Sequence, residues 1–420
     1  MHDQMKVFIV GGGVIGLCCA WHLQRQDMEV EVFEGGEFGR GASGVNAGWV
    51  VPSLSTPLAA PGMIRTGIRH ALDPSGAVVI RPGLDTEWIR WLWRFRSAAS
   101  RGEYERGVKA LMHLNSRTME LFDQLVDNGV EFEMHAAGIL ALARDRHHMS
   151  WFTQLFDQLR ALGYKGDITE LSPAEIRAVE PAVSERAGAG ALTSVDRHVQ
   201  PNSLTAGLVA DLRRRGVALH ARRPVQGVRW GGGAWQVTTG AGTVSGDAVV
   251  VALGARINDL LRGTGYRLPV VGGKGYSVDL GGTGCMPSHA LYLMEPKIGL
   301  SPFAGGVIRI AGIFELPGKD DLPLQRRTRQ IVDQSLPFLR DWQPNPDGWE
   351  ERGLAGLRPC TPDSLPFLGP VPGADGLYVA TGHGMLGVTL APATGEAIAD
   401  MIARRPIPEA MLPFQLSGRM

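Results

Sequence analysis

The sequence predicts an α/β fold: a parallel-sheet domain, discontinuous along the chain, carrying an inserted α+β domain of mixed sheet and helices. Three observations point to it. The chain opens on a strand, a glycine turn and a helix; it returns to strand, glycine turn and helix in its last 70 residues. Between them, residues 268–316 alternate as strands, a pattern foreign to a purely parallel unit.

The opening unit is specific. Residues 6–10 (KVFIV) are a short, mostly apolar run that reads as a buried parallel strand. Gly11, Gly13 and Gly16, with Gly12, Val14 and Ile15 between them, make a G-x-G-x-x-G turn, and Ile15 to Leu23 continues as a helix. One glycine makes the tight turn, one lets backbone approach a pyrophosphate, and one lets helix pack on strand. Phosphates would then sit at the positive end of that helix. A second strand, Val30 to Phe33, ends at Glu34, 18 residues after Gly16, where a carboxylate can accept from a ribose diol. Strand, turn, helix and acid together describe a Rossmann-like dinucleotide domain.

Composition bounds the rest. A chain of 420 residues favours two domains. Its 42 basic residues balance 42 acidic ones, which gives no sign of a nucleic-acid partner. Cys18, Cys19, Cys285 and Cys360 have neither metal nor disulfide spacing, which suits a reducing compartment and no metal site. The first strand begins within a few residues of Met1, so no signal peptide is expected. No uninterrupted apolar run reaches the ~18 residues of a spanning helix. A cytoplasmic protein, at most peripheral at the inner face of the cytoplasmic membrane, is the expectation.

Along the chain, residues 39–53 form a small-residue loop rich in backbone donors. Residues 80–190 carry longer helical patterns, one clear from Ala110 to Leu125, and a strand candidate from Gly138 to Ala143. Residues 202–215 predict a helix with Asn202 as N-cap. Strands Val225–Trp230 and Ala234–Thr239 follow around a glycine turn, and residues 247–254 read as a buried strand ending in glycine. Val270–Leu280 and Val307–Ile313 read as strands, and residues 324–340 as a helix. The expected division is 1–80, 195–262 and 350–420 for the nucleotide domain, with 81–194 and 263–349 for the substrate domain.

Leu377–Thr381 then runs as a strand into Gly382-His383-Gly384-Met385-Leu386-Gly387 and a helix of small residues. That helix N-terminus would present N–H groups to an electron-rich feature. A reduced flavin accumulates negative charge near N1, so this second dipole points to FAD rather than NAD.

The chain resembles the D-amino acid oxidase superfamily of FAD-dependent oxidoreductases, looking closest to bacterial D-amino acid dehydrogenases, with glycine oxidases next. The resemblance rests on the opening glycine motif and on Ser43-Gly-Val-Asn46-Ala47-Gly48. It rests equally on Lys274-Gly275-Tyr276-Ser277, Gly356-Leu-Arg358-Pro359-x-Thr361-Pro362-Asp363 and Gly382-His383-Gly384-x-Leu386-Gly387, all in the family's order. It implies FAD across the first domain, with Val225, Ala252 and Gly254 among the cofactor-binding positions. It also implies oxidation of a D-amino acid by hydride transfer from the alpha carbon to flavin N5, then hydrolysis to the 2-oxo acid and ammonia. Similar dehydrogenases pass electrons to a quinone-type acceptor. The alternatives are a glycine, small-amine or proline/hydroxyproline oxidase or dehydrogenase, and an accessory flavoprotein subunit. Related sarcosine-type oxidases attach FAD through a cysteine that would align with Gly356, so FAD is expected to be non-covalent here.

Within that resemblance Arg358 pairs with the substrate carboxylate, a role suited to a planar, permanently charged fork. His383 invites a general-base reading, but the implied mechanism needs no side-chain base, and packing beside the flavin fits it better. Tyr276 is a candidate wall of the substrate site or a core residue with its hydroxyl satisfied. Residues 87–96 place Trp88, Trp91, Leu92 and Phe95 on one helix face among Arg90, Arg94 and Arg96. Such a helix lies in a membrane interface or, the preferred reading, buries its aromatic face on the substrate domain.

Overall fold

The computed structural model describes residues 4–62, 76–81, 83, 85–346 and 348–420. Residues 63–75, expected in the nucleotide domain, lie outside them, as do residues 1–3, 82, 84 and 347. Lys6–Val10 lies at the middle of a six-stranded sheet. Its order is Ala218–His220, Glu29–Phe33, Lys6–Val10, Ala248–Val251, Leu377–Thr381 and Phe367–Pro370. The first five strands are parallel and the last antiparallel. Both faces are covered, which is why these strands read as near-continuous apolar runs. Val7 and Ile9 pack with the helices Val14–Gln24 and Gly387–Ile402. Phe8 and Val10 face the antiparallel meander of Val225–Gly231, Ala234–Thr239 and Gly242–Gly246.

The second sheet has ten strands among the described residues. Val271–Thr283, Val307–Gly318 and Ile298–Phe303 form its antiparallel centre. Ala290–Leu293, Ile139–Ala143 and Ala189–Thr193 extend it on one side. Helix Gln325–Ser335 packs Ile331 and Val332 into its core.

Four elements depart from the expected division. Strand Leu354–Cys360 pairs with Val271–Thr283, and Val78–Ile80 pairs with Val307–Gly318, so both belong to the larger sheet. The pattern at Ala110–Leu125 is two helices, Arg101–Asn115 and Thr118–Asp127, broken at Ser116 and Arg117. Their apolar faces join the core of the six-stranded sheet, since amphipathic periodicity does not say which core a helix meets. Helix Pro201–Arg214 is capped by Gln200, whose side chain accepts from the Ser203 N–H; Pro201 takes the first helical position, and Asn202 lies one residue inside.

Helix Thr86–Ala98 buries Trp88, Trp91 and Phe95 against Phe314, Leu316 and Cys360 of the larger sheet. That stripe is therefore inside the protein; Ile89, Arg90, Trp93 and Arg96 face out. Among the described residues no helix is long and apolar enough to cross a membrane.

Candidate functional site

The nucleotide cradle is built of backbone. Gly11 has φ +117°, and a Cβ there would stand 2.4 Å from the Ala252 carbonyl oxygen. A Cβ on Gly16 would stand 1.9 Å from the Gly11 oxygen, so neither position admits a side chain. The helix that follows has no side-chain cap at Gly13. Its first N–H, on Val14, donates to Ser43 Oγ at 2.9 Å, and those of Ile15 and Gly16 have no intrahelical acceptor. Glu34 closes the turn: its Oε2 accepts from the Gly12 N–H and its Oε1 from the Gly36 N–H, both at 2.8 Å. Each oxygen keeps a lone pair for a ribose hydroxyl. Val225 follows two residues after Arg223, whose N–H donates to the Glu34 carbonyl at 2.7 Å. Ala252 is tied to Val10 by its N–H, and the Gly254 carbonyl accepts from Thr381 Oγ1 at 2.9 Å.

The second glycine turn sits beside the larger sheet. Gly382 and Gly384 both have positive φ, Met385 is exposed, and Leu386 closes the turn by donating to the His383 carbonyl. Helix Gly387–Ile402 starts without a side-chain cap. The Gly384 N–H donates to the Pro359 carbonyl at 2.8 Å, and His383 bridges Cys360. The turn is thus hydrogen-bonded to the strand that carries Arg358. His383 is buried; its Nε2 meets Thr394 Oγ1 at 2.9 Å, and burial pushes its pKa down to about 3. A neutral imidazole inside the helix packing is no general base.

Arg358 projects from the face of the larger sheet that meets the Ser43–Gly48 loop. Gly275 on the neighbouring strand clears space for it, since a Cβ there would fall 1.7 Å from the guanidinium Nη1, and Gly273 does the same for Phe314 and Cys360. Ser277, on the same face, donates to the Val45 carbonyl at 2.8 Å. Gly356 abuts Val45 and Ala42 so closely that a Cβ would meet Val45 Cγ2 at 2.4 Å. The guanidinium lies over the Phe314 ring, 5.6 Å from its centroid, and donates to the Ile313 carbonyl at 3.3 Å. Among the described residues it has no carboxylate partner, and burial lowers its pKa from the usual guanidinium range without discharging it. An unpaired, half-buried cation of this kind awaits an anion.

Tyr276 is on the opposite face. It is buried in the core with its hydroxyl 3.2 Å from Glu315 Oε2, and Glu315 is held in turn by Arg81 and Arg327. Burial raises its pKa above the usual phenol range. It lines no site beside Arg358, because a strand sends successive side chains to opposite faces.

Three residues outside the expected set belong to this region. Arg309, Ser277 and Ser301 grip the loop from the larger sheet. Arginine in an otherwise apolar strand, Val307–Ile313, is the trace of this role in the sequence.

These features fit FAD: two helix starts whose own N-cap residues make no side-chain cap, glycines that admit no Cβ, and an acid at the end of the second strand, with Arg358 on the sheet face that meets the Ser43–Gly48 loop. The family model "FAD dependent oxidoreductase" matches residues 6–401. The chain belongs to this family. It is an FAD-dependent oxidoreductase, and similar proteins match it over nearly its full length. A D-amino acid dehydrogenase of Paramagnetospirillum magneticum is 30% identical over 421 residues, covering 96% of each chain. One of Rhizorhabdus wittichii is 31% identical over 414 residues, covering 96% of this chain and 97% of its own. Glycine oxidase from Geobacillus kaustophilus has the same fold, with a TM-score of 0.77 at 22% identity over 99% of this chain and 100% of its own.

Proposed function

We propose that the protein oxidises a D-amino acid at its Cα–N bond, the imine then hydrolysing to a 2-oxo acid and ammonia, with electrons leaving to a quinone-type acceptor. The observation that carries the reading is Arg358: a half-buried guanidinium without a carboxylate partner among the described residues, on the sheet face turned to the Ser43–Gly48 loop. The name D-amino acid dehydrogenase, carried by the similar proteins, supports the D configuration and an acceptor other than oxygen.

Bound FAD supplies the two-electron sink for the hydride from Cα. Arg358 binds the substrate carboxylate through two parallel hydrogen bonds and so fixes the direction of the Cα–H bond. Phe314 and the stacked Trp88, Trp91 and Phe95 form an apolar backing that keeps water from the guanidinium. Among the described residues neither candidate serves as a base, since His383 is neutral and enclosed and Tyr276 faces the core, so the substrate reacts with its amine already neutral. The crowded contact of Gly356 with Val45 leaves no room for a cysteinyl tether, and FAD is held non-covalently.

The test is anaerobic flavin bleaching against D- and L-amino acids, glycine and prolines, followed by reoxidation with air or a quinone. Bleaching by D-amino acids and faster reoxidation by quinone support the reading. Rapid peroxide formation in air would make the protein an oxidase, and bleaching by glycine or prolines alone would move the substrate class. A flavin that no amine reduces would mark an accessory subunit.

A further inference from the structure

Arg309 is fully buried, although its guanidinium carries a permanent charge. Its Nε and Nη2 pair with the two Asp279 oxygens at 2.6 and 2.8 Å. Its Nη1 reaches across to the Ser43–Gly48 loop and donates to the Gly44 carbonyl at 2.8 Å and the Asn46 carbonyl at 3.1 Å. Ser277 Oγ donates to the carbonyl between them, Val45, at 2.8 Å. Ser301 Oγ takes the next, Ala47, at 2.7 Å, while accepting from Trp49 Nε1 at 2.9 Å. Four successive carbonyls are therefore held by three side chains of the larger sheet.

The peptide plane turns this into a statement about the other side of the loop. In a trans peptide the C=O of one residue and the N–H of the next point in opposite directions. With the carbonyls of residues 44–47 directed at the sheet, the N–H groups of Val45, Asn46, Ala47 and Gly48 are directed away from it. Gly48 N–H is taken by Asn46 Oδ1 at 2.7 Å. Those of Val45, Asn46 and Ala47 donate to no protein acceptor among the described residues. The same loop caps the dinucleotide helix through Ser43, so this row of donors opens on the nucleotide side.

We infer that Arg309 is a positioning residue for FAD: together with Ser277 and Ser301 it fixes the Gly44–Ala47 backbone so that its N–H groups form a preset donor row for an acceptor-bearing edge of the cofactor. The inference rests on the reading that this loop borders FAD. A lysine at 309 keeps the charge but not the geometry, since an ammonium cannot pair with both Asp279 oxygens and two carbonyls at once. Released carbonyls would let the peptides rotate and the row dissolve.

The experiment titrates the apoprotein with FAD and records the visible flavin spectrum of the holoenzyme and the melting temperature of the apoprotein. Arg309→Lys is expected to weaken FAD by about 10- to 100-fold and to shift the flavin band, through loss of charge-assisted bonds. Ser277→Ala is expected to weaken it by about 2- to 10-fold. A lower melting temperature with unchanged FAD affinity and spectrum would make Arg309 a structural ion pair and overturn the inference. Should Arg309→Lys not fold, the double variant Ser277→Ala/Ser301→Ala decides by the same two readouts. Asn46→Ala separates the underlying reading. If it alters FAD binding where Arg309→Lys does not, only the inference about Arg309 falls. If neither does, the loop does not border FAD and both fall.

Discussion

The Arg358 guanidinium is steadied by the carbonyl of Ile313, 3.3 Å from Nη1, and Ile313 holds a left-handed backbone with φ +62°. A β-branched residue avoids that region. Here it sits where the pairing of Val307–Gly318 with Val271–Thr283 slips, between the pairs Tyr276–Gly312 and Lys274–Glu315. The irregularity turns the Ile313 carbonyl out of the ladder and towards the Arg358 guanidinium.

This strain predicts an inverted order of stability. Glycine in a strand is normally worse than alanine by about 0.5–1 kcal/mol. At position 313 glycine empties only one methyl more than alanine, while it alone accepts φ +62° without penalty. Ile313→Gly should therefore be more stable than Ile313→Ala by about 1 kcal/mol. Chemical denaturation of the two variants measures it; the ordinary order would mean the bulge relaxes freely.

Arg358→Lys should keep fold and FAD but lose amino-acid oxidation. One charge-assisted hydrogen bond of roughly 1.5–3 kcal/mol corresponds to about 10- to 150-fold in flavin reduction at subsaturating substrate. Arg358→Ala should be slower still, because the carboxylate would enter a dry site unpaired. Stopped-flow reduction reads both, and amines without a carboxylate should be indifferent. Parent-like reduction of Arg358→Ala by an amino acid would refute the clamp.

Acid should unfold the protein through its buried histidines. Burial lowers the pKa of His383 to about 3, and those of His22 and His198 to about 4. The unfolded chain takes these protons near pH ~6.5 while the folded chain refuses them. Their contribution is present above pH ~6.5 and is lost as pH falls towards 4, by about 1.4 kcal/mol per pH unit for each group. Melting temperature against pH should fall through this window, and less steeply in His383→Gln. An unchanged slope would mean that His383 is protonated in the folded protein.

Trp91 and Trp93 should behave oppositely despite their proximity. Trp91 is buried between Trp88 and Phe95 and donates to the Cys360 carbonyl at 3.2 Å, two residues from Arg358. Trp91→Ala should cost about 3–5 kcal/mol and raise KM, whereas Trp93, 73% exposed, should tolerate serine within ~0.5 kcal/mol. Thermal melts and steady-state kinetics separate them. Equal losses would place the helix with its other face inwards.

What was legible in the sequence was whatever is decided locally. Gly11, Gly16 and Glu34 announce a turn because backbone sterics act over a few residues, and Leu377–Thr381 has the bounds its apolar run suggests. The aromatic stripe of Thr86–Ala98 showed which face would be buried. Partnership was not legible. Nothing near Leu354–Cys360 says that it pairs with Val271–Thr283, and nothing near Tyr276 decides between a wall of the substrate site and the core, where the structure places it. Arg309 was missed for the same reason, since its partners at residues 44 and 46 lie over 260 positions away. Only Gly273 and Gly275, two glycines alternating within a strand, carried a trace of what leans over them.

The order of strands in the six-stranded sheet also constrains the birth of the protein. Val7 pairs with Ala248, and Val249 pairs with Leu377, so the sheet's two central seams join segments synthesised far apart. The first seam must wait for residue 248 and the second for residue 377, and such distant closures are slow. During translation the unit would stand open at the edge of Lys6–Val10, exposing Val7 and Ile9 to aggregation or to chaperones. Expression yield should therefore respond to chaperone supply.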